Sequence, residues 1–238
     1  MEIQALWISA LRFAPKAIHP KWGELAEKAA KSLAELFAVP GIGLADCLRA
    51  PSGEPAAKAK KEDALRPNQL FAITLDALPT SAHSLRHEIL DACEELLVPG
   101  GNRSVADRDT KCDFAVRGSS GQPLNSPHHP YWGSYSGDED TRRKPAYHNG
   151  TIWGWTFPMH AEAMVKTAEA DPAVTPDSIR RVKARALSLL ASSVENFREG
   201  AIAHLSENAD GDTPHHQKGS PAQAWSESEL LRVWMACK

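Results

Sequence analysis

The stretch Ser206 to Ser226, SENADGDTPHHQKGSPAQAWS, places Glu207, Asp210 and Asp212 beside two histidines and Trp225 in one connection. Three readings fit such residues: carboxylate chemistry on a sugar, metal binding, or an ordinary exposed loop. His215 and His216 are adjacent, as are His128 and His129. Histidines that share a metal from a helix need i, i+3 or i, i+4 spacing. These pairs therefore read as solvated loop histidines, and neither a metal nor another cofactor is expected. No Gly-x-Ser-x-Gly elbow is present, and Cys93 and Cys237 fall in helical patterns where a small apolar residue serves. The run GSYSGD lacks the Lys-Ser/Thr ending and preceding strand of a phosphate loop.

What remains is carboxylates with aromatics and amides. A sugar offers flat apolar faces to tryptophan and a rim of hydroxyls to Asp, Asn, Gln and Arg. The chain has seven tryptophans, and Trp132, Trp153, Trp155 and Trp225 stand in or beside loops. Composition alone favours the plainer account, in which large aromatics pack the core or the hairpins. On the same grounds Glu207 would face solvent.

The elements around these loops are helical. Ile3, Leu6, Trp7, Ala10, Leu11 and Ala14 share a face, with no capping residue in front. Trp22, Leu25, Ala26, Ala29, Leu33, Leu36 and Phe37 mark a second helix, close enough for an antiparallel hairpin. Further stripes run through Leu70, Phe71, Thr74 and Leu78, and through Leu85, Ile89, Ala92, Cys93 and Leu96. A helix is expected from about Thr151, with Trp153, Phe157, His160 and Met164 on one side and Pro158 as a kink. Another starts near Asp177, and the last spans roughly Ala222 to Ala236. No alternating strand run stands out. Residues 50–64 read as a solvated, mobile excursion, and 99–147 as a long loop region whose aromatics argue against disorder. The fold class is all-α, in one domain over 1–238.

Composition bounds the partners. Hydrophobic residues make up 42% and charged residues 24%, and the formal charge is -3, which argues against a nucleic-acid surface. Four scattered cysteines with no C-x-x-C pair point to a reducing, cytoplasmic setting. No apolar run is long enough to span a membrane. The apolar opening MEIQALWISALRFAP has no positively charged lead, so it does not read as a signal peptide.

In sequence order, ALRPNQLFAI, LLVPGGNRS, YWGSYSGD, RRKPAYHNGTIWGW and the opening loop itself resemble the carboxy-terminal part of glycogen debranching enzymes, the amylo-α-1,6-glucosidase family. MEIQALWISALR is similar to that family's VEI-ALW-NAL segment. The resemblance implies an (α/α)6 toroid of helical hairpins around a central pocket. It implies hydrolysis of an α-1,6-linked glucose with inversion, by an acid and a base roughly 6.5–9.5 Å apart. Glu207 stands at the family's general base, although Asn208 and Ala209 replace apolar residues of the usual SEIFDGD. His148, Asn149, Thr151 and Trp153 match a sugar-binding wall, and Gln223 and Trp225 match AQAWS. Arg66 and Asn68 match RPNQ, while Asp46, Asp210 and Asp212 resemble sugar-contacting or loop-orienting aspartates. For each polar contact, bracing of a large loop is the competing role.

The family's acid lies in a TWMDA-like segment, and this sequence contains no WMD. Asp46 and Asp138 are the imaginable substitutes, and nothing in the sequence supports either. The stripes make about seven helices, too few for six hairpins. The expectation is an incomplete toroid, the carboxy-terminal portion only, weak as a hydrolase when alone. Its exposed helix faces would take a partner polypeptide or a second copy. Two rivals stay open: a related hydrolase of another small glucoside, and a non-catalytic glucan-binding remnant.

Overall fold

Helices α1 (Glu2–Ala17) and α2 (Lys21–Leu36) form the expected hairpin in the computed structural model, which describes residues 1–238 apart from the side chains of residues 16 and 17. An ion pair from Arg12 to Glu27, 3.0 Å long, ties the two at similar distances from the turn, as antiparallel packing requires. The buried face of α1 is not the expected one. Met1, Ala5, Ile8 and Leu11 point inward, and Ile3, Leu6 and Trp7 are 64%, 48% and 53% exposed. α1 carries two apolar stripes, and the narrower one is buried in the hairpin. Ala26, Ala30 and Leu33 are the fully buried positions of α2, and two of them are small enough to let a neighbouring helix approach closely.

The expected helix over 70–78 is only one turn long. A 3-10 turn, Pro67–Leu70, leads into α3 (Phe71–Thr74), which ends where Asp76 takes a positive φ of 53°. Its neighbourhood is buried nearly all round, so the face pattern overstated its length. α4 (His83–Cys93) keeps Ile89 and Cys93 inside, as expected. The kinked helix from Thr151 is corrected too. Ile152–Trp153 is a strand, Gly154–Thr156 a 3-10 turn, and Pro158 lies in the first turn of α6 (Phe157–Ala170). A first-turn proline loses no helical hydrogen bond, so it starts the helix and does not bend it.

α6 is the central helix. It packs against α3, α4, α7 (Pro176–Ala191) and α8 (Ala224–Cys237), and it is buried on most of its circumference. Thr175 caps α7, its hydroxyl accepting from the Ser178 amide at 3.3 Å, with Pro176 next in the first turn. With α5 (Lys144–Tyr147), the described residues hold eight α-helices in a mostly-α fold. No helix of the described residues is long and apolar enough to cross a membrane.

Nine strands of two residues each escaped the sequence pattern, because two residues show no periodicity. Three pairs are hairpins: β1 (Ala38–Val39) with β2 (Gly43–Leu44), β3 (Leu48–Arg49) with β4 (Lys60–Lys61), and β5 (Leu97–Val98) with β6 (Gly101–Asn102). The 50–64 stretch thus contains one arm of a hairpin, and Glu62 and Ala64 at its end are buried. The fourth sheet has three strands, β7 (Ile152–Trp153), β8 (Asn208–Ala209) and β9 (Gln217–Lys218), all antiparallel, with β8 in the middle. It joins the two motif-bearing loops.

Candidate active site

Ile152 opposes Ala209 and Trp153 opposes Asn208, so β8 delivers the residue before it, Glu207, to the wall that carries Trp153. The glutamate is half-buried and held at both oxygens. Oε1 accepts from the Tyr147 hydroxyl at 2.7 Å, and Oε2 accepts from the Ser220 amide at 3.0 Å. Its own amide donates to the Ser220 carbonyl at 2.8 Å. Gly219, at φ 68°, makes this possible, since a Cβ there would lie 2.5 Å from Oε2.

Tyr147 sits at the centre of an aromatic cluster. Its ring centroid is 4.7 Å from that of His148, 4.8 Å from Trp153 and 5.5 Å from Tyr135. His148 stacks on Trp153 at 5.4 Å, and Trp225 stacks on Trp155 at 5.4 Å while meeting Trp153 edge-on at 6.0 Å. Burial, then the bond to Glu207, pushes the Tyr147 phenol up to about 12. Tyr147 therefore stays protonated and donates. His148 is open to solvent on one side, yet surrounding protein and Arg66 lower its basicity, so it is neutral at pH 7.

These rings wall a cavity of about 710 Å³, large enough for a sugar unit and its neighbours. Part of its rim is charged. Arg49 pairs with Glu62, and Arg66 faces Asp46 with 3.7 Å between Nε and Oδ2. Asn68 donates to Asp46 at 3.1 Å. Glu2 lines the same rim with no hydrogen bond or ion pair among the described residues; burial, then Asp46, raises its carboxyl above the ordinary range.

Of the sequence-selected residues, Asp46, Arg66, Asn68, His148, Trp153 and Trp225 line this cavity together. Arg66 is largely committed to bracing. It donates to the carbonyls of Ser104 and His148 and, at 2.8 Å, to Asn149 Oδ1. Asn149 and Thr151 lie behind the wall, the Thr151 hydroxyl donating to the Tyr147 carbonyl at 2.6 Å. Asp210 accepts from the Tyr135 amide at 2.7 Å, and Asp212 accepts from the Tyr131 hydroxyl at 2.8 Å. Both orient the loops and stand away from the cavity. Gln223 stands at the N-cap position of α8 with no capping bond from its side chain, and its backbone N–H donates to the Leu205 carbonyl. Asp138 caps the turn Glu139–Arg143, accepting from the Asp140 and Thr141 amides, and is not a cavity group.

Glu2, Glu62, Arg49, Phe114 and Tyr147 line the cavity and were not selected from the sequence, and Trp155, noted there only as a loop tryptophan, lines it too. Tyr147 and Trp155 adjoin selected residues, so the motif flanks held a signal. Glu62 and Phe114 sit in stretches with no motif. Among the described residues no group of three potential metal ligands occurs.

A helix-built frame, with short β-pairs, thus gathers acidic and aromatic side chains around one cavity. The family model for amylo-alpha-1,6-glucosidase matches residues 1–122 and 116–232, and the chain belongs to that family of glycogen-debranching-type glycosidases. No curated protein matches the chain.

Proposed function

We propose that the chain is a glycoside hydrolase that releases an α-1,6-linked glucose from glycogen-type glucans with inversion, and that it turns over slowly when alone. One observation carries this reading: Glu207, at the family's base position, is held by the hydroxyl of Tyr147, and Tyr147 itself lines a tryptophan-walled cavity. In that role Glu207 takes a proton from the attacking water, while Trp153 and Trp225 face the sugar ring. The slowness follows from the chemistry on the opposite side of the bond. No Trp-Met-Asp run occurs in the sequence, and general-acid help is worth 10² to 10⁴ in rate. The hairpins α1–α2 and α6–α7 are proposed as part of an (α/α)6 toroid. The four free cysteines fit a cytoplasmic setting.

The test is release of glucose from branched limit dextrin and from small α-glucosides. Glu207→Gln should abolish turnover and leave maltooligosaccharide binding, measured by calorimetry, roughly intact. Retained turnover would show that Glu207 is the wrong base. The commitment of Arg66, Asp210 and Asp212 to bracing favours a second reading, a non-catalytic glucan-binding module. It would bind maltooligosaccharide and release no glucose at any concentration. A preference for small glucosides over dextrin would point to a related hydrolase.

A further inference from the structure

Tyr147 lines the cavity and Glu207 does not, although the two are joined by a 2.7 Å hydrogen bond. A water held against a sugar in this cavity meets the phenol before it meets the carboxylate. Glu207 Oε2 is turned the other way, onto the Ser220 amide, and the space beyond it is closed by Gly219. We propose that Tyr147 is a catalytic residue, relaying the proton of the attacking water to Glu207. The relay rests on the hydrolase reading above and specifies how its base is reached.

The water oxygen forms a bond to the anomeric carbon, and its proton passes to Tyr147 Oη. The phenolic proton passes at the same time to Glu207 Oε1. Tyr147 ends neutral, as it began, and Glu207 ends as a carboxylic acid. The glycosidic oxygen leaves with the electron pair of the broken bond and takes a proton from solvent water; the hydroxide so formed is neutralised by the proton that Glu207 then releases, which restores the carboxylate. Simultaneous transfer is needed, because burial and the carboxylate beside it oppose a free phenolate at this position. The surroundings hold the phenol in place for it. Tyr135 stacks on its ring, Trp153 meets it edge-on, and the Trp153 indole N–H donates to the Tyr147 carbonyl at 2.9 Å.

Three variants test the relay on the full chain, with glucose release as the readout and maltooligosaccharide calorimetry as the control. Tyr147→Phe keeps the ring, and should lower kcat by about 100-fold while KM and the sugar Kd change less than about twofold. Substituting fluorotyrosines at position 147 keeps the hydroxyl and its hydrogen bond and lowers the phenol's proton affinity. A relay shifts kcat several-fold along that series, whereas a purely structural tyrosine leaves it flat. A flat series, or full turnover in Tyr147→Phe alongside an inactive Glu207→Gln, overturns the relay and leaves the hydrolase reading standing. Turnover retained in Glu207→Gln, or absent from the unmodified chain, removes that reading and the relay with it.

Discussion

His160 gives the most quantitative handle on this fold. It lies on α6, the helix that α3, α4, α7 and α8 pack against, and is 2% exposed, with Nδ1 lacking a hydrogen-bond partner. Burial, then the nearby Arg185, lowers its pKa from 6.5 to about 4. A histidine that binds its proton less readily folded than unfolded contributes its full stability above the unfolded value. That stability is lost as pH falls from 6.5 through 4. The whole difference corresponds to about 3 kcal/mol at about 1.36 kcal/mol per pH unit, and about 2 kcal/mol of it is gone by pH 5. Urea unfolding followed by tryptophan fluorescence at pH 7 and pH 5, on the natural chain and on His160→Leu, isolates this contribution, since the carboxylates are common to both. The natural chain should lose about 2 kcal/mol more than the variant between the two pH values. Equal losses would show that His160 ionises as readily folded as unfolded, and the assigned burial effect would be wrong.

Asn208 is 1% exposed, and both its side-chain polar atoms lack partners beside a small cavity of about 30 Å³. Asn208→Leu should raise stability in urea by about 1 kcal/mol, because it replaces unpaired buried groups by an apolar side chain of the same branching, its extra bulk facing the small cavity; a loss would mean that a bound water satisfies them. On α1, Ile3, Leu6, Trp7 and Phe13 form an outward stripe of about 500 Å², with small Ala10 between the larger residues. Placed antiparallel on a copy of itself, Ile3 meets Phe13 and Leu6 meets Ala10, so the stripe is self-complementary. Sedimentation at micromolar concentration should show a dimer that Phe13→Glu splits, and a monomer in the unmodified chain would refute this.

The helices were legible because α2, α4, α7 and α8 are long enough for a 3.6-residue period to show. The faces were less legible. α1 has apolar residues on two sides, and only the hairpin partner decides which side is covered. Trp153 belongs to a two-residue strand, too short for any pattern, and that strand absorbed the start of the expected helix. Within the site, the motifs located the cavity wall and could not separate wall from brace. Asp210 and Glu207 look equally catalytic as letters. One accepts from a loop amide, and the other reaches a phenol 60 residues away in sequence. Glu2 carried no signal of its own, since its place on the rim depends on where the β2–β3 connection brings Asp46.

The three-stranded sheet has a consequence for any effort to alter what the cavity accepts. Its middle strand adjoins the carboxylate, and its outer partner bears the indole of Trp153. Widening the pocket by moving that indole drags the glutamate along the same hydrogen-bonded ribbon. Under the proposed hydrolase reading, breadth of fit and speed of bond cleavage would then change in step, and a library varying only the tryptophan would still be sampling the chemistry.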